Sequence, residues 1–102
     1  MRTITIKKIF GDEVCVGGRA SGALLRKQIE VALVQQESVV IDFKGLDLIT
    51  QGFCDEFLGP ILQANGQETF RQIKFKNCSE DVRAIILSTS RRFLSNAFLH
   101  GR

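Results

Sequence analysis

Cys54 is the residue whose neighbours come closest to making it reactive. It lies near the start of a stretch, 52–64, with helical apolar spacing, and the dipole at a helix N-terminus lowers a thiol pKa. Phe53 and Phe57 surround it with apolar surface, and Asp55 and Glu56 oppose a thiolate. The one histidine, His100, stands two residues from the end of the sequence. A buried thiol packed as a small hydrophobe is therefore the expectation. Asp55 and Glu56 are consecutive, so on a helix they project about 100° apart and form no acid–base pair. Cys15, Cys54 and Cys78 lack the CxxC spacing of a zinc site. Gly17-Gly18-Arg19-Ala20-Ser21-Gly22 has the composition of a phosphate loop, but Ala23 follows Gly22 where a Walker motif needs lysine. That stretch reads as a strand-to-helix connection with Ser21 as the cap. No catalytic residue, metal or cofactor is expected.

The polar residues that remain cluster on one segment, 39–62. Val39-Val40-Ile41 is a continuous β-branched run, as in a strand buried on both faces. Asp42 closes it and is expected to accept from nearby backbone N–H groups. A short loop, 46–52, leads into a helix that buries Phe53, Phe57, Ile61 and Leu62. A strand feeding a helix presents backbone N–H groups and polar side chains at one edge of a sheet, where open α/β sheets bind. The candidate contact residues are Asp47, Thr50, Gln51, Gly52, Asp55 and Glu56, with Thr50 expected to cap the helix.

Around that segment, Thr3-Ile4-Thr5-Ile6-Lys7 and Glu13-Val14-Cys15-Val16 alternate across the Gly11-Asp12 turn, which predicts an N-terminal antiparallel hairpin. Residues 24–36 predict an amphipathic helix with Leu25, Ile29, Ala32 and Leu33 on one face. Gly59-Pro60 predicts a kink or break inside the second helix, and Asn65-Gly66 its end. Ile73-Lys74-Phe75-Lys76-Asn77 is the last strand, and Ser79-Glu80-Asp81 opens a third helix with Val82, Ile85, Ile86 and Thr89 inward. The expected fold is a single small α/β domain, with a mixed sheet of about four strands packed by about three helices. Residues 1–90 form the domain, and 91–102 a basic, partly apolar tail that either packs back on the body or mediates docking or homodimerisation.

The chain has 102 residues and a net charge of +3, with 44% apolar and 25% charged residues. All eleven acids and eleven of the fourteen Lys and Arg residues precede residue 91, so Arg91, Arg92 and Arg102 carry the excess. A nucleic-acid-binding body would show a denser basic stripe. No apolar run reaches the roughly 18 residues of a membrane span. Three widely spaced cysteines, and a start (MRTITIKK) without a signal peptide's apolar core, set the expectation of a reducing cytoplasm.

The segments Ile41-Asp42-Phe43-Lys44-Gly45-Leu46, Ile49-Thr50-Gln51-Gly52-Phe53 and Asp55-Glu56-Phe57, with Arg19 before the first long helix, resemble the prokaryotic STAS-like domain of unknown function. That family is related in fold to the anti-sigma factor antagonists. The resemblance implies a non-catalytic, partner-switching regulatory module. Its partner would be a histidine-kinase-like ATPase or an anti-sigma-type regulator, bound through 47–52 and the start of the following helix. In the antagonists a serine at this helix start is phosphorylated; here Gly52 occupies that position. Thr50, with the loop's one hydroxyl, is the candidate phosphorylation site. A second reading is a nucleic-acid-associated domain that uses Arg91, Arg92 and Arg102 on phosphates and shows steep salt dependence. It lacks an aromatic platform for bases.

Overall fold

Three strands lie side by side and run in the same direction. In the computed structural model, which describes the backbone of residues 1–100 and all their side chains except those of Asn65 and 95–100, β1 (Arg2–Thr5), β3 (Val39–Asp42) and β5 (Ile73–Lys76) pair in the order β1-β3-β5. The register sets Ile4 beside Ile41 and Ile41 beside Phe75. A second, two-stranded parallel sheet joins β2 (Cys15–Val16) to β4 (Leu48–Ile49). Parallel neighbours need crossovers, usually helical. Here α2 (Arg19–Val34) lies between β1 and β3, and α3 (Gln51–Arg71) between β3 and β5. α4 (Glu80–His100) packs on α3.

The N-terminal hairpin does not form, and the sheets are parallel rather than mixed. Residues 6–10 make a short helix, α1 (Ile6–Phe10), in place of a continued strand. Ile6, Ile9 and Phe10 recur at helical spacing; Ile6 is buried, and the other two pack against the core. That turn separates β1 from β2, and each strand finds a parallel partner further along the chain. Among the described residues the strands number five and the helices five, counting α3 as the two segments that meet at Gly66, against about four and about three expected.

Val39 and Ile41 are fully buried, whereas Val40 is half-buried. It shares the opposite face of the sheet with Thr3, Lys74 and Lys76, which are exposed. The central strand is thus covered on one face, not both. The covered face meets a core of Phe43, Phe53, Phe57, Leu25, Ile29 and Leu58, all inaccessible to solvent. Each contributes about 1.5–3 kcal/mol of transfer free energy.

α3 passes through Gly59-Pro60 without breaking; its one non-helical residue is Gly66 (φ 69°, ψ −150°). Proline has no N–H to give the carbonyl four residues back, here that of Glu56. Arg26 of α2 supplies the missing donor, since its guanidinium bonds both the Glu56 carbonyl and the Glu56 carboxylate. Gly59 fits because a Cβ there would lie 2.7 Å from the Phe93 ring of α4. Gly22 plays the same part between α2 and α3, where a Cβ would lie 2.5 Å from the Phe53 carbonyl oxygen.

α4 runs continuously across position 90, and Phe93 and Leu94 pack against the core. The tail expectations for the side chains of 95–100, and for Arg102, lie outside the described residues.

Candidate functional site

Two strand-to-helix junctions meet at the carboxyl ends of β2 and β4, and a third, after β5, meets the loop that leads into β4. The first joins β2 to α2 through Gly17 and Gly18, the second joins β4 to α3 through Thr50, and the third joins β5 to α4 through Asn77, Cys78 and Ser79. Hydrogen bonds tie them together. Thr50 Oγ1 accepts from Phe53 N (3.2 Å), capping α3, and from Gly18 N (3.1 Å). Ser79 Oγ accepts from Val82 N (3.1 Å), capping α4, and donates to the Asp47 carbonyl (2.8 Å). The backbone N–H groups of Asp47 and Leu48 both donate to the Val14 carbonyl.

The caps follow from residue type. Threonine and serine oxygens bond an N–H three residues on, satisfying a donor that has no partner within the helix. α2 starts differently from the expectation: Gly18 (φ 92°), not Ser21, is its N-cap, and Ser21 lies inside the first turn. Gly17 is needed for a second reason, because a Cβ there would lie 2.6 Å from Thr50 Cγ2. The glycine pair that resembles a phosphate loop thus serves as the seat for Thr50.

The six candidate residues divide into two groups. Asp47 and Thr50 are exposed. Val14 and Leu48 are also exposed; the Val14 carbonyl accepts from the N–H groups of Asp47 and Leu48, and the strand register sets exposed Cys15 beside Leu48. The other candidates turn inward or are already paired. Gln51 Nε2 donates to Asp55 Oδ1 and to Thr89 Oγ1, each at 2.8 Å. Asp55 also pairs with Arg92, whose guanidinium lies over the Phe93 ring. Glu56 bonds Arg26 (2.7 Å) and Arg19 (3.5 Å). The Arg26 bond is the main reason its carboxyl is held below the usual range. A Cβ at Gly52 would lie 3.7 Å from Arg19 Cγ, an ordinary contact.

Cys54 is fully buried, and desolvation pushes its thiol up to about 12, against a smaller opposing hydrogen bond from Thr89. A helix N-terminus therefore fails to activate this thiol. Asp42 accepts from Asn77 Nδ2 (2.8 Å) and Lys44 N (3.0 Å), and the Asn77 bond leads in holding its carboxyl low. Among the described residues no group of three or more His, Cys, Asp or Glu side chains is placed to hold a metal ion. No helix there is long and apolar enough to cross a membrane. The His100 side chain lies outside the described residues.

Val14, Gly17, Gly18 and Ser79 join the site although sequence reasoning did not place them there. Val14 belonged to the failed hairpin, and an exposed valine leaves no mark in an alternating segment. Ser79 was legible as a cap, but not as a tie to Asp47.

A family model for the STAS-like domain of unknown function matches residues 21–83, from the first turn of α2 into α4. No curated protein and no solved structure matches.

Proposed function

The chain belongs to the STAS-like family of domains of unknown function, and on that basis we propose that it is a non-catalytic regulatory module of the cytoplasm. It contacts a protein partner through Asp47, Leu48 and Thr50, with Val14 and the Gly17-Gly18 turn beside them. The observation that carries this reading is a short exposed run in which an acid, Asp47, a large apolar side chain, Leu48, and a hydroxyl, Thr50, all face solvent, with exposed Val14 on the neighbouring segment. Asp55 and Glu56 have a narrower role in it. Their carboxylates hold α4 and α2 against α3, and they shape the surface from behind. By resemblance the partner is a histidine-kinase-like ATPase or an anti-sigma-type regulator.

Thr50 is the site where charge would switch the contact. A phosphoryl group adds nearly two negative charges. It would lie beside the N-termini of α2 and α3 and near Arg19, which favour an anion electrostatically. The basic-tail reading is weaker by one cation, since Arg92 is engaged by Asp55 and Phe93.

Photo-crosslinking from position 48 in native cells tests the surface, with position 74 on the open sheet face as the control. One regulatory partner is expected from position 48 and none from 74. Against that purified partner, Leu48→Asp and Thr50→Asp are expected to weaken binding by about tenfold or more, the scale of about 1.4 kcal/mol. Aspartate is itself a good N-cap, so Thr50→Asp adds charge while keeping the helix start. Equal crosslinking from both positions, or a partner indifferent to both variants, overturns the reading.

A further inference from the structure

α2 has two apolar faces, and the body of the protein uses one. Leu25, Ile29 and Ala32 are fully buried. On the other side Leu24, Lys27, Val31 and Val34 recur at steps of three and four. They span an arc of about 80°, nearly opposite the buried face. Leu24 is 55% exposed, Val31 51% and Val34 83%. A groove of about 470 Å³ opens beside this stripe, lined by Glu30, Leu33, Val34, Ile61 and Ala64 among others. A helix exposing this much branched apolar surface marks an interaction site.

The spacing indicates the occupant. Leu24, Lys27, Val31 and Val34 are separated by three, four and three residues, so the spacing reads identically in both directions. When two copies of α2 lie antiparallel about a two-fold axis level with Ile29, Leu24 of each meets Val34 of the other. The aliphatic stem of Lys27 then covers Val31 of the second copy. A two-fold interface requires such self-complementarity; an unrelated partner does not.

Charge agrees with shape. In this arrangement the Lys27 ammonium falls beside Glu30 of the second copy, and the pair occurs twice. Within one chain, Lys27 makes no ion pair among the described residues. Glu30 has a 3.9 Å contact to Arg26, whose guanidinium is already held by Glu56.

We propose that the outer face of α2 is a homodimer interface, with a second copy of this chain docked antiparallel across Leu24, Lys27, Val31 and Val34. The proposal is independent of the function proposed above. An antiparallel pair places the two partner-contact surfaces, each at the N-terminal end of its α2, at opposite ends of the dimer.

Sedimentation equilibrium of the full chain across a wide concentration range tests this. A reversible dimer is expected for the wild type. Lys27→Glu and Glu30→Lys are each expected to raise the dimer dissociation constant by about tenfold or more, because each makes both cross-pairs like-charged. Mixed together, the two variants are expected to form a heterodimer of near wild-type affinity, since every cross-pair is again Glu with Lys. Both positions are exposed, and circular dichroism is expected to show an unchanged fold. Val31→Asp is expected to yield monomer. A wild type that stays monomeric, a dimer indifferent to these changes, or single variants whose mixture does not recover would each overturn the proposal.

Discussion

Replacing Arg26 with methionine removes the donor that stands in for the missing N–H of Pro60, and the two residues should therefore be thermodynamically coupled. In the wild type, Arg26 bonds the Glu56 carbonyl, which the proline leaves without its helical partner. A bond from a charged donor to a carbonyl is worth about 1.5–3 kcal/mol. Arg26→Met is expected to destabilise the protein by about 2 kcal/mol. In a Pro60→Ala background, the new N–H of residue 60 bonds the same carbonyl, so losing Arg26 no longer strands it. The cost should fall by about 1–1.5 kcal/mol. The contact between Arg26 and the Glu56 carboxylate is lost in both backgrounds and cancels from the cycle. Pro60→Ala alone should stabilise by less than the roughly 3 kcal/mol typical of an interior helical proline, because Arg26 already relieves part of the defect. The chain has neither Trp nor Tyr, so urea unfolding should be followed by far-ultraviolet circular dichroism. Coupling within about 0.5 kcal/mol of zero, the additivity limit for independent sites, would refute the reasoning.

Gly22→Ala is expected to cost about 3 kcal/mol and Gly59→Ala about 1 kcal/mol less in the same unfolding assay. A Cβ at Gly22 meets backbone, whereas one at Gly59 meets a ring that can shift; Phe93→Leu should recover part of the second loss only. Thiol titration with an aromatic disulfide should label exposed Cys15 quickly, half-buried Cys78 more slowly and buried Cys54 only on unfolding. Because folding raises the Cys54 pKa from 9.0 to about 12, its contribution to stability is fully present below pH 9.0 and lost as pH rises toward 12. Asp42 behaves oppositely: its folded pKa is depressed from 3.8, so its contribution is present above that value and lost as pH falls through the lower one. Asn77→Gly, which keeps the positive φ of 58° at that position, should move the Asp42 carboxyl back up in a nuclear magnetic resonance titration.

Much of the site was legible locally. Thr50 and Ser79 cap the helices they precede because a short side-chain oxygen reaches an N–H three residues on, whatever the rest of the fold does. Asp42 holding Lys44 N is local in the same way. Gly66 marks a backbone break through its own φ and ψ. The contacts of Asp55 and Glu56 were not legible. Their partners Arg92, Arg19 and Arg26 lie 30 or more positions away, and nothing in the local pattern distinguishes a helix-start acid that faces a partner from one that faces its own α2 or α4.

The sequence by itself determined the parts governed by short-range chemistry: the helical apolar spacings, the two hydroxyl caps, the last strand, the inert thiol and the family motif of 41–57. Strand direction and pairing were decided by the tertiary structure. Residues 3–7 and 13–16 alternate equally well for antiparallel or parallel neighbours, and the choice depended on Ile6, Ile9 and Phe10 packing as a helical turn against the core. The proline in α3 belongs to the same class. Local rules make Pro60 a helix breaker, and only a guanidinium from another helix, placed by the fold on the carbonyl the proline cannot serve, lets α3 continue through it.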